Sequence, residues 1–268
     1  MQQLNKTLIR QRFGRQLHGY NRHAFIQKKM AGHLADMVSA SLASSEVGRL
    51  FEIGVGSAAL TDSLLHRLRI DRYYANDLVP QCRQMVETVT ALHGVDSAEF
   101  LDGDIEALRE IPGDLDVIVS GATVQWLEDL PGFFHRMAGA LKPGGVLAFS
   151  TFGHDNMQEI RALESVGLHY HTLAEMQAMA GELYEVTGME EERHQLDFTG
   201  PEAVLRHISR TGVNGLDGRA WTKSRHRAFI DRYRRAFSSG DGVRLTYHTM
   251  YCCFRKCPAS AGVEATCC

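Results

Sequence analysis

The sequence contains no apolar run near the roughly 20 residues that a membrane-spanning helix needs. Its first twenty residues are basic and polar and lack the apolar core of a secretory signal. The net charge is only −3 and the isoelectric point is about 6.5, which argues against a general nucleic-acid-binding protein. We therefore expect a soluble, cytoplasmic chain that binds neither membranes nor nucleic acid.

The six cysteines form neither a metal motif nor a disulfide framework. Cys253 and Cys257 lie four residues apart, but no second Cys or His pair stands at zinc-site spacing. His169 and His171 form an isolated HxH pair, which is more often solvated than bound to a metal. The sequence also has no recognisable nucleophile–His–Asp set. We expect reduced thiols and no metal.

Apolar spacing divides the chain into regions. Residues 1–46 have apolar side chains every three or four positions, which predicts helix. Short strand-like runs then alternate with helical patterns for about a hundred residues, which predicts a mostly parallel α/β sheet. Two more strands are predicted over 184–199 and 243–256, with a basic helical segment between them.

The predicted fold is a Rossmann-like, mostly parallel seven-stranded sheet with N-terminal helices and a helical cap between the last strands. We expect one domain over 1–256 and a disordered tail over 257–268. The parts of that domain, in order, are the N-terminal helical region, the core, the cap and the final strand: 1–46, 47–199, 200–241 and 242–256.

The stretch FEIGVGSAAL contains a glycine loop that two kinds of cofactor could explain. Gly54, Gly56 and Ala59 fit the dinucleotide fingerprint, and Asp77 follows about 20 residues later, where an acid binds ribose hydroxyls. A charge at Glu52 is unfavourable in a buried strand unless it meets a donor or cation. The α-ammonium group of S-adenosylmethionine would supply that cation.

Two further features favour S-adenosylmethionine. Asp104 follows the third predicted strand, where its carboxylate can accept from an adenine amino group. The turn LKPGG precedes VLAFSTF, as is common before the fifth strand of methyltransferases of this type.

The ordered segments FEIGVG, YYANDL, LDGDIE, DVIVSGATVQWLEDLP and LKPGGVLAFSTFG resemble class I S-adenosylmethionine-dependent methyltransferases. More narrowly, the chain resembles the malonyl-[acyl-carrier protein] O-methyltransferases of biotin synthesis over nearly all of residues 8–256. The segments RHISRTGVNGL and Tyr-Asn-x-x-Ala-x-x-Gln are the most discriminating. Ala58 departs from the pattern, because many methyltransferases have a third glycine there.

The resemblance implies methyl transfer from S-adenosylmethionine to the free carboxylate of malonyl-acyl-carrier protein. Such a carboxylate is ionised at neutral pH, so no general base is required. A monomer is expected. The predicted cofactor-binding residues are Tyr20, Gln27, Glu52, Gly54, Gly56, Asp77, Leu78, Asp104, Ile105 and Gly121.

Tyr20, Gln125 and Trp126 are the catalytic candidates. Tyr20 could cover the sulfonium from the N-terminal helix. Gln125 and Trp126 follow the fourth strand, where substrate and cofactor should meet. The alternative for Tyr20 and for Trp126 is an ordinary core aromatic residue.

Residues 201–256 contain twelve Lys and Arg but four acidic residues. A basic cap would attract an acidic acyl-carrier protein, although a solvated face or an RNA-binding surface are alternatives. Arg206, His207 and Arg210 are the candidates for holding the malonyl carboxylate or a phosphopantetheine phosphate. A small-molecule methyltransferase and a non-catalytic S-adenosylmethionine-binding module stay open as alternative functions.

Overall fold

The computed structural model describes residues 6–164, 168–210 and 222–258. The helices are α1 (Lys6–His23), α2 (Phe25–Ser41), α3 (Ala59–Leu65), α4 (Cys82–Leu92), α5 (Leu130–Ala140), α6 (Gln158–Glu164), α7 (Leu173–Ala180), α8 (Pro201–Arg210) and α9 (Lys223–Ala236). The strands are β1 (Glu46–Ile53), β2 (Arg69–Asp77), β3 (Ala98–Asp102), β4 (Leu115–Gly121), β5 (Leu141–Phe152), β6 (Tyr184–Phe198), β7 (Ser238–Ser239) and β8 (Gly242–Lys256). Short 3₁₀ turns cover Val124–Trp126 and Gly181–Leu183.

The strands form one sheet in the order β3-β2-β1-β4-β5-β8-β6. β1 to β5 pair in parallel, and β8 runs antiparallel to both β5 and β6. The prediction of a Rossmann-like, mostly parallel sheet is confirmed. Seven strands were predicted, and the sheet has eight, because the two-residue β7 also pairs with the start of β8.

The strand order reverses between β1 and β4. From β1 the chain moves outward to β2 and β3, and it then returns to the other side of β1 to form β4 and β5. In open α/β sheets such a reversal leaves a crevice at the carboxyl ends of the strands, where ligands bind. The loops after β1, β2, β3 and β4 meet at that edge.

Alternating side chains in the central strands supply the two apolar cores. In β4, Val117 and Val119 pack against one face of the sheet while Ile118 packs against the other. The same alternation separates Val146 from Leu147 in β5. Both faces are covered by helices, which explains why these strands are apolar throughout.

The helical region before β1 consists of two helices. Ala24 separates α1 from α2 and has φ −86° and ψ 49°, outside the helical range. In α2, Met30, Leu34 and Val38 are fully buried against the sheet. α1 lies over the carboxyl edge and also packs against α8.

Helices α8 and α9 lie between β6 and β8 along the chain, as predicted for the cap. Phe229, Ile230 and Tyr233 of α9 are buried, and the Tyr233 hydroxyl donates to the Arg244 carbonyl at 2.8 Å. Within the described ranges, every helix is too short or too polar to cross a bilayer. Residues 259–268 of the predicted tail lie outside the described residues.

Candidate active site

A cavity opens at the carboxyl edge of the sheet, beside the reversal of strand order. Its walls come from the loops after β1 to β4, from α2, and from one side of α1. The lining residues are Lys6, Ile9, Phe13, Gln27, Ala31, Glu52, Ile53, Gly54, Val55, Gly56, Ser57, Ala59, Leu60, Asn76, Asp77, Leu78, Val79, Gly103, Asp104, Ile105, Gly121, Ala122, Thr123, Trp126, Leu127 and Ser150.

The glycine loop after β1 is held by its own protein neighbours. The N–H groups of Gly54 and Val55 donate to the Asn76 carbonyl at 2.8 and 3.2 Å, and the Gly56 N–H donates to Asp77 at 2.8 Å. These N–H groups are therefore already engaged, and a dinucleotide pyrophosphate would have to compete for them. The loop favours a cofactor that is bound through other groups.

Only glycine fits at position 54, for two reasons: the backbone conformation and the close approach of a neighbouring side chain. Its φ of +73° lies in the left-handed region, and a Cβ atom there would lie 2.1 Å from Thr123 Oγ1. The loop after β4 therefore packs directly on the loop after β1. At Gly56, with φ +52°, an added Cβ would meet nothing within 4 Å, so this part of the loop faces open space.

Glu52 is a fully buried carboxylate at the base of the cavity. Its Oε2 accepts from Thr61 Oγ1 at 2.6 Å and from the Tyr73 hydroxyl. Its Oε1 is buried and has no hydrogen-bond partner among the described residues. Burial raises the pKa of Glu52 to about 7, although the two hydroxyl donors oppose that rise. Protein donors therefore satisfy one carboxylate oxygen and leave the other for a ligand.

Asp77 ends β2 and connects two loops of the site. Its Oδ2 accepts from the Gly56 N–H and its Oδ1 accepts from the Val79 N–H, both at 2.8 Å. Burial raises its pKa, and these N–H donors oppose the rise. The buried thiol of Cys82 lies beneath it, and burial together with the Asp77 charge raises the pKa of that thiol. Cys82 is therefore a protonated neighbour of Asp77 rather than a nucleophile.

Asp104 is bound by a lysine that sequence reasoning missed. Lys6 Nζ, from the first turn of α1, lies 2.6 Å from Asp104 Oδ2 and also binds Glu106. Glu106 in turn accepts from the main-chain N–H groups of Glu128 and Asp129. This ion-pair group connects α1 to the loops that follow β3 and β4.

The structure brings most of the predicted cofactor residues together. Those lining the cavity are Gln27, Glu52, Gly54, Gly56, Asp77, Leu78, Asp104, Ile105 and Gly121. Tyr20 lies in α1, but its side chain is outside the described residues.

The two predicted catalytic residues after β4 have different surroundings. Trp126 is half-buried and lines the cavity. Gln125 instead donates from Nε2 to the Ala122 carbonyl at 2.6 Å and accepts from Thr151 Oγ1 at 3.1 Å. Its amide braces the loop that carries Trp126.

Of the predicted substrate-binding residues of α8, Arg206 and His207 are not among the cavity-lining residues. Arg206 is exposed. His207 Nε2 lies 2.9 Å from the Tyr247 hydroxyl, and its ring packs 5.2 Å from the Phe198 ring. The side chain of Arg210 is outside the described residues.

Sequence reasoning also missed the two hydroxyl donors to Glu52. Thr61 was detectable as a polar residue in the first turn of the helix after the loop. Tyr73 was not, because its contact depends on the β1–β2 register, which pairs Leu50 with Tyr73 and Glu52 with Ala75. The two side chains are diagonal neighbours on one face of the sheet.

Comparisons with known proteins agree with this geometry. The model of the family described as "Methyltransferase domain" matches residues 51–149. Among solved structures, a protein from Bacillus halodurans C-125 described as a methyltransferase superimposes with a TM-score of 0.62, covering 84% of this chain and 99% of that chain, at 12% identity. This likeness concerns the fold alone.

Closer relatives extend over nearly the whole chain. The malonyl-[acyl-carrier protein] O-methyltransferase of Chlorobium luteolum is 43% identical over 94% of this chain and 96% of its own length. The protein of the same name from Chlorobium phaeovibrioides is 41% identical over 94% of this chain and 97% of its own length. With this identity over nearly the whole of both chains, the chain belongs to the malonyl-[acyl-carrier protein] O-methyltransferase family.

Proposed function

We propose that this protein transfers the methyl group of S-adenosylmethionine to the free carboxylate of malonyl-acyl-carrier protein. The products are the malonyl methyl ester on the carrier protein and S-adenosylhomocysteine, at an early step of biotin synthesis. The observation that carries this proposal is the 43% identity to a named relative over 94% of the chain. We also propose a single methyltransferase domain over residues 1–256; a monomeric state and a cytoplasmic location stay predictions.

The residues of the cavity suit S-adenosylmethionine. The unpartnered Glu52 Oε1 is a buried acceptor at the cavity wall, and an α-ammonium group is a donor of opposite charge. Asp77 ends β2, where carboxylates bind ribose hydroxyls, and Asp104 offers an acceptor for an adenine amino group. When bound, the cofactor supplies a methyl group on a positively charged sulfur.

Catalysis then depends mainly on how the protein positions the malonyl carboxylate relative to the methyl group. The malonyl carboxylate is the nucleophile and is already ionised, because its pKa is near the value of about 4 for acidic side chains. The protein must align the carboxylate oxygen with the methyl carbon and keep water away from both. Ile9 and Phe13 of α1 and the ring of Trp126 give the cavity apolar walls that suit this task.

The carrier protein would bind to the basic surface of the cap. The basic cap surface consists of the exposed side chains of Arg206, Lys223, Arg227, Arg234 and Arg235. Acidic partners are attracted to such a surface before they dock. Arg206, His207 and Arg210 stay our candidates for the malonyl carboxylate or the phosphopantetheine phosphate.

Mass spectrometry of malonyl-acyl-carrier protein after incubation with the full chain and S-adenosylmethionine tests the proposal. We expect one added methyl group on the malonyl-loaded carrier. Acetyl-acyl-carrier protein is the matched control, because it lacks the free carboxylate and should gain none. Binding of S-adenosylhomocysteine with no methylation of the malonyl carrier would refute the substrate assignment.

A further inference from the structure

A cluster of two histidines and an aspartate lies on the surface where α3 and α4 end. Asp62 belongs to α3, His66 follows the last residue of α3, and His93 follows the last residue of α4. None of the three lines the cavity. We propose that Asp62, His66 and His93 bind a divalent transition-metal ion of the Zn²⁺ class. This inference is independent of the proposed methyl transfer.

The distances suit a shared ion. His93 Nε2 lies 2.9 Å from Asp62 Oδ1, and one ligand atom of each of the three residues falls within 4.8 Å of the others. Tetrahedral Zn²⁺ with bonds of about 2.0–2.1 Å needs ligand atoms roughly 3.3 Å apart. Small side-chain rotations therefore complete the site, and water can occupy the fourth position.

The histidine tautomer also favours metal binding. His66 Nδ1 lies 2.8 Å from the main-chain carbonyl of Asp62, and because a carbonyl accepts, the Nδ1–H must donate. The proton on Nδ1 leaves Nε2 with a free lone pair. A main-chain carbonyl on the other ring nitrogen is the usual support of a metal-bound histidine.

The surrounding charges favour a cation. Both histidines stand at helix carboxyl ends, where the main-chain dipoles present partial negative charge. The neighbouring guanidinium of Arg67 is turned toward α2, where its Nε lies 2.7 Å from Asp36 Oδ1. The two imidazole rings are in contact, with centroids 4.6 Å apart and planes at 75° to each other.

A second histidine pair provides a matched control. His169 and His171 have ring centroids 4.7 Å apart, and His171 Nδ1 lies 3.9 Å from Glu175 Oε2. That carboxylate oxygen already accepts from the main-chain N–H and the hydroxyl of Thr172. Among the described residues, this group does not bring three ligand atoms together as the Asp62 cluster does.

The test is calorimetric titration of chelator-treated full-length protein with ZnCl₂. We expect wild type and H169N/H171N to bind one more Zn²⁺ per chain than H66N/H93N. The cysteines are present in all three proteins, so their contribution cancels. Unchanged melting temperatures in EDTA would show that all three proteins fold. Equal Zn²⁺ stoichiometry and affinity in the three proteins would overturn the proposal.

Thermal melting supplies a second measurement. An ion bound only to the folded state raises the melting temperature. Zn²⁺ should therefore raise it more in wild type and in H169N/H171N than in H66N/H93N. Because α3 follows the glycine loop and α4 follows Asp77, the ion would join the far ends of the two helices that leave the cofactor cavity. An equal rise in all three proteins would count against the site.

Discussion

Glu52 has a proton equilibrium in the neutral range, because burial raises its pKa to about 7. A bound ammonium group stabilises the ionised carboxylate, so a ligand that carries one displaces the proton. In the proposed complex, the acceptor for the ammonium is Oε1, which is unpartnered among the described residues. Affinity for the cofactor should therefore depend on pH.

We predict that affinity for S-adenosylhomocysteine rises as the pH increases toward about 7, the raised pKa of Glu52, and levels off above it. The rise should approach about tenfold per pH unit for one displaced proton. Calorimetric titrations at several pH values measure it. Glu52→Gln cannot ionise and should bind weakly with little pH dependence; an equally steep profile in that variant would contradict the assignment.

The same residue affects stability in the unliganded protein. Its folded pKa is raised, so its contribution to the free energy of unfolding is full below pH 4.5 and is lost as pH rises through about 7. Glu52→Gln has no carboxyl group to titrate, so its free energy of unfolding should not show this decrease as the pH rises through about 7.

Ala58 occupies the position where many methyltransferases have glycine, and its φ is +60°. A β-branched side chain is strongly disfavoured there. We predict that Ala58→Val lowers the free energy of unfolding by about 1–3 kcal/mol, measured by urea denaturation. Ala58→Gly relieves the backbone and should stay within about 1 kcal/mol of wild type. If the valine variant were as stable as the glycine variant, the backbone argument would fail.

The sequence predicted the acidic residues of the cavity but not the side chains that bind them. Glu52, Asp77 and Asp104 could be predicted because each lies at or just beyond the carboxyl end of a strand pattern, and these ends meet at one edge of a parallel sheet. Lys6 could not, because its contact with Asp104 spans 98 residues and depends on how α1 crosses the sheet edge.

At the scale of elements, α1 is held over the cavity by one basic side chain. Lys6 is half-buried and binds Asp104 and Glu106, and Ile9 and Phe13 of the same helix line the cavity. The ion pairs increase the affinity of Lys6 for its proton, and its pKa is raised although burial acts in the opposite direction. One helix therefore supplies both the lysine that binds the loops after β3 and β4 and the apolar residues that form part of the cavity wall.

We predict that Lys6→Met speeds hydrogen exchange of α1 amides about fivefold, because a partly buried ion pair contributes about 1 kcal/mol. The affinity for S-adenosylhomocysteine should fall by a similar factor, since the apolar wall loses its anchor. Exchange mass spectrometry and calorimetry measure the two effects. Lys28→Met, at an exposed position of α2, is the control and should change neither.

The helical pattern over 1–46 predicted helix but not the break at Ala24. No glycine or proline marks that position, and the break follows from α2 packing on the sheet while α1 crosses its edge. The two-residue β7 was also unpredictable, because so short a strand has no periodicity to detect.

In the whole molecule, the Lys and Arg residues of segment 201–256 lie in two separate places, the last strand and the cap helices. Arg255 and Lys256 belong to β8 and bind the main-chain carbonyls of Ser41, Gly144 and Leu141. Arg255 pairs with Val146 of β5 and Lys256 pairs with Tyr184 of β6, at the edge opposite the cavity. They are structural, and the cap helices carry the charge that a partner can meet.

Sequence composition predicted the excess of positive charge but not this division. Ion pairs reduce the available charge further, because Arg225 and Arg232 both bind Glu164 of α6. The distribution follows from tertiary packing, which a count of charged residues does not contain.

We predict that R227E/R235E on the basic cap surface raises the KM for malonyl-acyl-carrier protein by about tenfold or more at low salt, because steering and docking charges are reversed. The KM for S-adenosylmethionine should be unchanged. Steady-state kinetics at two salt concentrations measure both values. R69E/R72E reverses two exposed charges at the amino edge of β2 and is the matched control. An equal rise in KM for both variants would argue against a dedicated docking surface.

The placement of β8 has a consequence for how the chain is made. This strand comes last along the described chain, but in the sheet it lies between β5 and β6. Among the described strands, β6 pairs only with β8. A nascent chain can build β1 to β5 on the ribosome, yet the edge of β5 stays unpaired until residues 242–256 have emerged. Completion of the sheet is therefore a late event that follows synthesis of the cap.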